Sequence, residues 1–78
     1  MLWSIDDGVK VPLTEKIKKA AEYYKEKYKK IPDTCLLNPI DMPEKKIIEV
    51  DCSFGKLYVM VYRCILPGNL WIGQDDEL

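Results

Sequence analysis

The sequence predicts an α+β domain in which one amphipathic helix lies across a three- to four-stranded, mainly antiparallel sheet. Three observations carry this. Leu13, Ile17, Ala20, Ala21, Tyr24, Tyr28 and Ile31 recur at the three-and-four spacing of one helical stripe. Two runs rich in β-branched and aromatic residues, Lys46 to Cys52 and Leu57 to Leu66, flank Ser53-Phe54-Gly55-Lys56 and read as a hairpin. With 78 residues the chain is one domain, 1–78, so helix and strands must share a single core.

At the start, Met1 to Ile5 is short, apolar and aromatic, and Asp7-Gly8 is a turn dipeptide ahead of Val9 to Val11. Residues 1–12 therefore form an extended arm or a small hairpin, closed by Pro12. Thr14 is the expected N-cap of the helix. The helix then has no Gly or Pro until Ile31-Pro32, where proline pushes the preceding residue out of the helical region. Lys27, Lys29 and Lys30 complement the carboxyl end of its dipole.

After Asp33, Thr34 to Asn38 reads as a strand, and Asn38-Pro39-Ile40-Asp41-Met42-Pro43 as a loop enforced by two prolines. In the hairpin, setting Cys52 opposite Leu57 puts Ile48, Val50, Val59 and Val61 on one face, suited to the helix stripe. Ile47, Glu49, Asp51, Tyr58, Met60 and Tyr62 then take the other face. A three-residue loop with Gly55 left-handed would instead pair Val50 with Tyr58. Leu66-Pro67-Gly68-Asn69 has proline and glycine at the central positions of a type II turn. Leu70 to Ile72 returns as a last strand, and the acidic segment 74–78 is expected to fray.

Composition narrows the function classes. A hydrophobic fraction of 47% with 32% charged residues excludes a disordered chain, and the net charge of -1 excludes a uniformly basic polyanion binder. The longest apolar run, Leu57 to Tyr62, falls far short of the roughly 20 residues that span a bilayer. Asp6 and Asp7 interrupt the place where a secretion signal would need an apolar middle. No membrane association is expected, and a cytoplasmic location is. Cys35, Cys52 and Cys64 are odd in number, each in an apolar run, as expected of buried free thiols.

Catalytic signals are lacking. The chain has no histidine, hence neither the commonest general base nor the commonest metal ligand. It has no Cys-x-x-Cys, no Gly-rich phosphate loop and no serine in a nucleophile elbow. Asp41 with Glu44, and Asp6 with Asp7, sit at turns, where carboxylates ordinarily bond to backbone amides. No catalytic residue, metal or cofactor is expected.

Two surfaces remain. Lys16, Lys19, Tyr23, Lys27 and Lys30 line one flank of the helix, a row able to track phosphates with an aromatic ring available for stacking. Beside it runs an acidic ridge of Glu15, Glu22 and Glu26, which repels phosphate. Glu15–Lys19 and Glu26–Lys30 have the spacing of ordinary helix pairs, and Arg63 is the one arginine. The second surface is aromatic. Trp3, Trp71, Tyr58, Met60 and Tyr62 are more large side chains than one helix can cover, and a sheet with a helix on one side leaves its other face open. Either the N-terminal segment with Leu2, Trp3 and Ile5 folds over that face, or a symmetric dimer covers it.

Ala20-Ala21-Glu22-Tyr23-Tyr24-Lys25-Glu26-Lys27-Tyr28, then Ile31-Pro32, Asn38-Pro39 and the ending Leu66-Pro67-Gly68-Asn69-Leu70-Trp71, resembles small uncharacterised proteins of microbes and their mobile elements. That resemblance implies no activity, cofactor or site. From the residues, the expectation is a non-enzymatic protein-binding or self-association module, with a protein partner or as a homodimer, using Tyr58, Met60, Tyr62 and Trp71. The alternative is a small nucleic-acid-binding protein using the lysine row.

Overall fold

The computed structural model describes residues 1–6, 8 and 10–77, with Glu77 by its backbone alone. Asp7 and Val9, which belong to the expected turn and N-terminal hairpin, and Leu78 lie outside the described residues.

Helix α1 spans Leu13–Tyr28 and buries Ile17, Ala20, Ala21 and Tyr24. It starts directly after Pro12, whose carbonyl accepts from the Glu15 and Lys16 amides at 3.0 and 3.3 Å. Thr14 is therefore inside the first turn and is not the N-cap. Proline at that point keeps its acceptor and holds an extended backbone, φ -56° and ψ 150°, so no hydroxyl is needed to start the helix. The carboxyl end also comes earlier than the stripe suggested. Lys29 adopts φ 58°, and its amide closes the helix on the Lys25 carbonyl at 2.9 Å. Pro32 bars Ile31 from helical angles, so the chain must turn out beforehand, and a left-handed residue does this within one step. Ile31 and Tyr28 consequently leave the core and are exposed, with the Tyr28 ring 4.8 Å from Tyr24.

Five strands form one mixed sheet: β1 Leu2–Ser4, β2 Thr34–Leu37, β3 Glu49–Cys52, β4 Gly55–Val61 and β5 Asn69–Gly73. Their spatial order is β1-β5-β2-β4-β3. All neighbours are antiparallel except β2 and β4. The expected three or four mainly antiparallel strands are thus exceeded by one, with one parallel pair. Connectivity explains the parallel pair. β3 goes to the outer edge, and its hairpin brings β4 back beside β2, running in the same direction.

The fifth strand is the N-terminal segment. Leu2, Trp3 and Ser4 pair with Trp71, Leu70 and Asn69. The Met1 amino group donates to the Ile72 carbonyl, the Ile72 amide to the Met1 carbonyl, and the Ile5 amide to the Gly68 carbonyl. This segment widens the sheet at its edge and does not fold across the face away from the helix.

The core lies between α1 and one sheet face, from which Cys35, Leu37, Val50, Leu57, Val59, Leu70 and Ile72 project. Leu37, Leu57, Leu70 and Ile72 are wholly buried, and each such side chain stabilises the fold by about 1.5–3 kcal/mol. Val61 has the same parity as Val59 but lies past the helix footprint and is exposed.

The hairpin is tighter than expected. Cys52 faces Gly55, and Val50 faces Leu57, leaving Ser53-Phe54 as a two-residue turn. The helix grips that turn, since Ser53 Oγ donates to Glu22 Oε1 at 2.7 Å and Lys25 Nζ sits 5.3 Å from the Phe54 ring centre. The shift is by one full pair, so the strand faces are kept. The residues before the strand do change. Ile48 is 70% exposed, whereas Ile47 packs against the core. Alternation holds only in the paired ladder, and β3 begins at Glu49 with a single further bond from the Val59 amide to the Ile48 carbonyl.

The loops are tied by side chains. Pro39–Asp41 is a 3-10 turn inside the segment expected to be a loop, with Asn38 Oδ1 accepting from the Ile40 amide. Asn38 Nδ2 donates to the Ile65 carbonyl at 2.8 Å. The Leu66–Asn69 turn closes with Asn69 N to Leu66 O at 3.2 Å and Gly68 at φ 84°, the type II geometry that the Pro-Gly step predicts. On the helix surface Glu15 pairs with Lys18 at 3.7 Å, not with Lys19. At the end of the chain Asp75–Glu77 forms a 3-10 turn where fraying was expected, and the Asp75 amide donates to Asp33 Oδ1.

Candidate functional site

Strand alternation sends Leu57 and Val59 to the helix and Tyr58 and Met60 to the opposite side. By register, Thr34 and Leu36 of β2, Trp71 and Gly73 of β5, and Leu2 of β1 share that second face. Leu2, Trp71, Leu36 and Met60 are directly opposite one another from strand to strand, which makes one apolar row across four strands. Tyr58, Met60, Tyr62 and Trp71 therefore share one surface, as the sequence placed them.

This face has a centre and a rim. Leu36 is only 5% exposed although α1 lies on the other side of the sheet. Its cross-strand neighbours Trp71 and Met60 flank it. Trp71 in turn lies over Gly73, where a Cβ would fall 2.4 Å from the indole Cη2. Around this centre Tyr58, Met60 and Tyr62 are 54%, 42% and 50% exposed. Tyr62 lies just past β4, its amide continuing the ladder to the Leu37 carbonyl at 2.7 Å. One shallow groove is lined by Leu36, Met60, Val61 and Tyr62, and another by Asp33, Thr34, Ile48, Tyr58 and Met60 among others. On the β1 side Leu2, Leu66 and Trp71 line a third.

Leu36 and Leu66 are assigned to no surface by the sequence, which expects Leu2 only as part of a covering segment and Ile48 on the helix side. Leu36 had a signal: Cys35-Leu36-Leu37 is apolar without alternation, which marks a strand buried on both sides. Leu2 depends on β1 joining the sheet, and no periodicity in three residues reveals that.

The lysine row is largely engaged within the molecule. Lys16 Nζ donates to the Ile5 carbonyl. The Tyr23 ring packs on Trp3 with centroids 5.0 Å apart and planes tilted by 51°. Lys27 Nζ stands 5.4 Å from the Tyr28 ring centre. Lys19 stays on the exposed flank, but Lys30 follows the left-handed Lys29 and no longer continues the helical line.

The thiols differ in setting. Burial pushes Cys35 up to about 12, reinforced by the neighbouring Cys52. Burial also raises Cys52, with Glu22 adding to it and Lys18 opposing. Cys64 is exposed, contrary to the expectation of three buried thiols, because β4 ends at Val61 and Cys64 falls in the turn beyond. Asp41 Oδ2 accepts from the Gly68 amide at 2.8 Å, which is turn chemistry. Among the described residues no group of three or more Cys, Asp or Glu is placed to hold a metal ion, and no helix is long and apolar enough to cross a membrane. No family model, curated protein or solved structure matches the chain.

Proposed function

We propose that this chain is a non-enzymatic protein-binding module of the cytoplasm whose contact surface is the sheet face opposite α1. The observation that carries the reading is the apolar row of Leu2, Trp71, Leu36 and Met60, bordered by Tyr58 and Tyr62, on a face to which α1 contributes nothing. Aromatic residues and Met around a buried apolar centre have the composition of an interface core. Three unpaired thiols support the reducing compartment. A nucleic-acid-binding role has less support, because Lys16 and Tyr23 are already used in holding β1 and the segment after it to α1.

The test is photocrosslinking in cells with p-benzoylphenylalanine in place of Tyr62, and separately in place of Tyr23 on the helix. Discrete crosslinked species from position 62, and none from position 23, are expected. Equal crosslinking from both positions, or none from position 62, refutes the reading.

A further inference from the structure

Charge is distributed unevenly over the open sheet face. Two of its shallow grooves meet at Met60. The groove toward Tyr62 is lined by Leu36, Met60, Val61 and Tyr62, with no charged side chain among the described residues that line it. The groove toward Tyr58 also takes in Asp33 and Asp75, both exposed. The Asp75 amide donates to Asp33 Oδ1 at 2.8 Å, which brings the two acids to one end of that groove. Among the described residues neither carboxylate pairs with a cation.

Register adds to the imbalance. Glu49 is opposite Tyr58 and Asp51 is opposite Lys56, so both acids stand on the same sheet face as Tyr58. Lys56 is the base beside them, and Glu49 engages it at 3.4 Å. Asp33, Asp75 and Asp51 are left to set the sign of this end. An exposed tyrosine ring bordered by such carboxylates attracts a Lys or Arg side chain through the ring and the charge together. The same carboxylates repel a phosphate backbone or an acidic segment. The uncharged groove past Met60 suits an apolar side chain instead. The two grooves lie on either side of Met60 along β4, about two residues of extended chain apart, roughly 7 Å, and side chains two apart in an extended segment point the same way.

We infer that the partner on this face is an extended segment of another protein in which a Lys or Arg is two residues from a large apolar side chain. The cation lies over Tyr58 against Asp33 and Asp75, and the apolar group fills the groove at Leu36 and Tyr62. This rests on the binding-face reading above and states the chemistry of the partner.

The experiment is selection of a random dodecapeptide library, displayed on phage, against the immobilised full chain. Enriched peptides are then titrated by fluorescence anisotropy against the wild type, Asp75→Lys and Met60→Glu, with far-UV circular dichroism checking that each variant is folded. Asp75 is the acid to change, because its turn is held through its amide, whereas the Asp33 carboxylate also accepts from the Thr34 hydroxyl. Enriched peptides should share a Lys or Arg two residues from Trp, Phe, Leu or Met. Their binding should weaken about fivefold in Asp75→Lys, where an attraction becomes a repulsion, and should fall with added salt. Met60→Glu should weaken it by about tenfold or more. Failure to enrich any peptide, enrichment of neutral or acidic sequences, or binding indifferent to Asp75→Lys overturns the inference. So does a wild type that sediments as a dimer and is dissociated by Met60→Glu, since a second copy then occupies the face. If the inference fails while position 62 still crosslinks to another protein, the binding face stands and only the partner chemistry is wrong. If position 62 is silent as well, both fall.

Discussion

Gly73→Ala tests the construction of the sheet face most directly. The added Cβ would fall 2.4, 2.7 and 3.1 Å from three atoms of the Trp71 ring. Ordinary carbon contacts are at about 3.5–4.0 Å, so the indole must move by about 1–1.5 Å. Displacements of this kind cost about 1–3 kcal/mol. Against that, Gly73 has no positive φ, and replacing a glycine in extended backbone by alanine stabilises by about 0.4–1 kcal/mol through the unfolded chain. The expected net loss is about 1–2 kcal/mol, read as a lower urea midpoint with unchanged slope by far-UV circular dichroism. The same substitution in a Trp71→Leu background meets no ring and should be neutral or stabilising. The two backgrounds should therefore differ by about 1–3 kcal/mol. Tryptophan emission adds a second readout, because the displaced Trp71 gains water contact while Trp3, on the helix side, serves as reference. An equal effect of Gly73→Ala in both backgrounds would refute the stacking of Trp71 on Gly73.

Three further outcomes are expected. With a thiol-specific reagent near pH 8, Cys64 should react first, Cys52 more slowly and Cys35 only on unfolding; rapid labelling of all three would contradict the burial pattern. Between pH 9 and about 12 the unfolded chain loses the Cys35 proton while the folded chain keeps it, so the unfolded state binds fewer protons and stability falls as pH rises. The stability advantage of the wild type over Cys35→Ala should narrow across that range, and a constant difference would contradict it. Asp41→Ala removes the acceptor of the Gly68 amide and should cost about 1–2 kcal/mol in urea unfolding. Asp41→Asn, which keeps an acceptor, should cost less, and equal losses would show that the bond carries little.

The elements and the face assignments were legible where local chemistry is decisive. Ile17, Ala20, Ala21 and Tyr24 declare the helix face by spacing, and Pro67-Gly68 declares its turn because only proline followed by glycine fits those angles so readily. Tyr58 and Met60 could be placed opposite Leu57 and Val59 because alternation survives a register shift of one full pair. The exact register was not legible. It depends on Glu22 and Lys25 holding Ser53 and Phe54, contacts between residues about thirty positions apart that leave no local periodicity.

By itself, the sequence determined an α+β domain with one amphipathic helix, a hairpin and a tyrosine-bearing strand face turned from that helix, because periodicity and turn stereochemistry act over a few residues. Only the tertiary structure decided that β1 joins β5, that β2 and β4 run parallel, and that Leu36 sits at the centre of an apolar row. Strand order and register are fixed by contacts distant in sequence, whose strength comes from excluding water from a shared core, and that property belongs to the assembled chain.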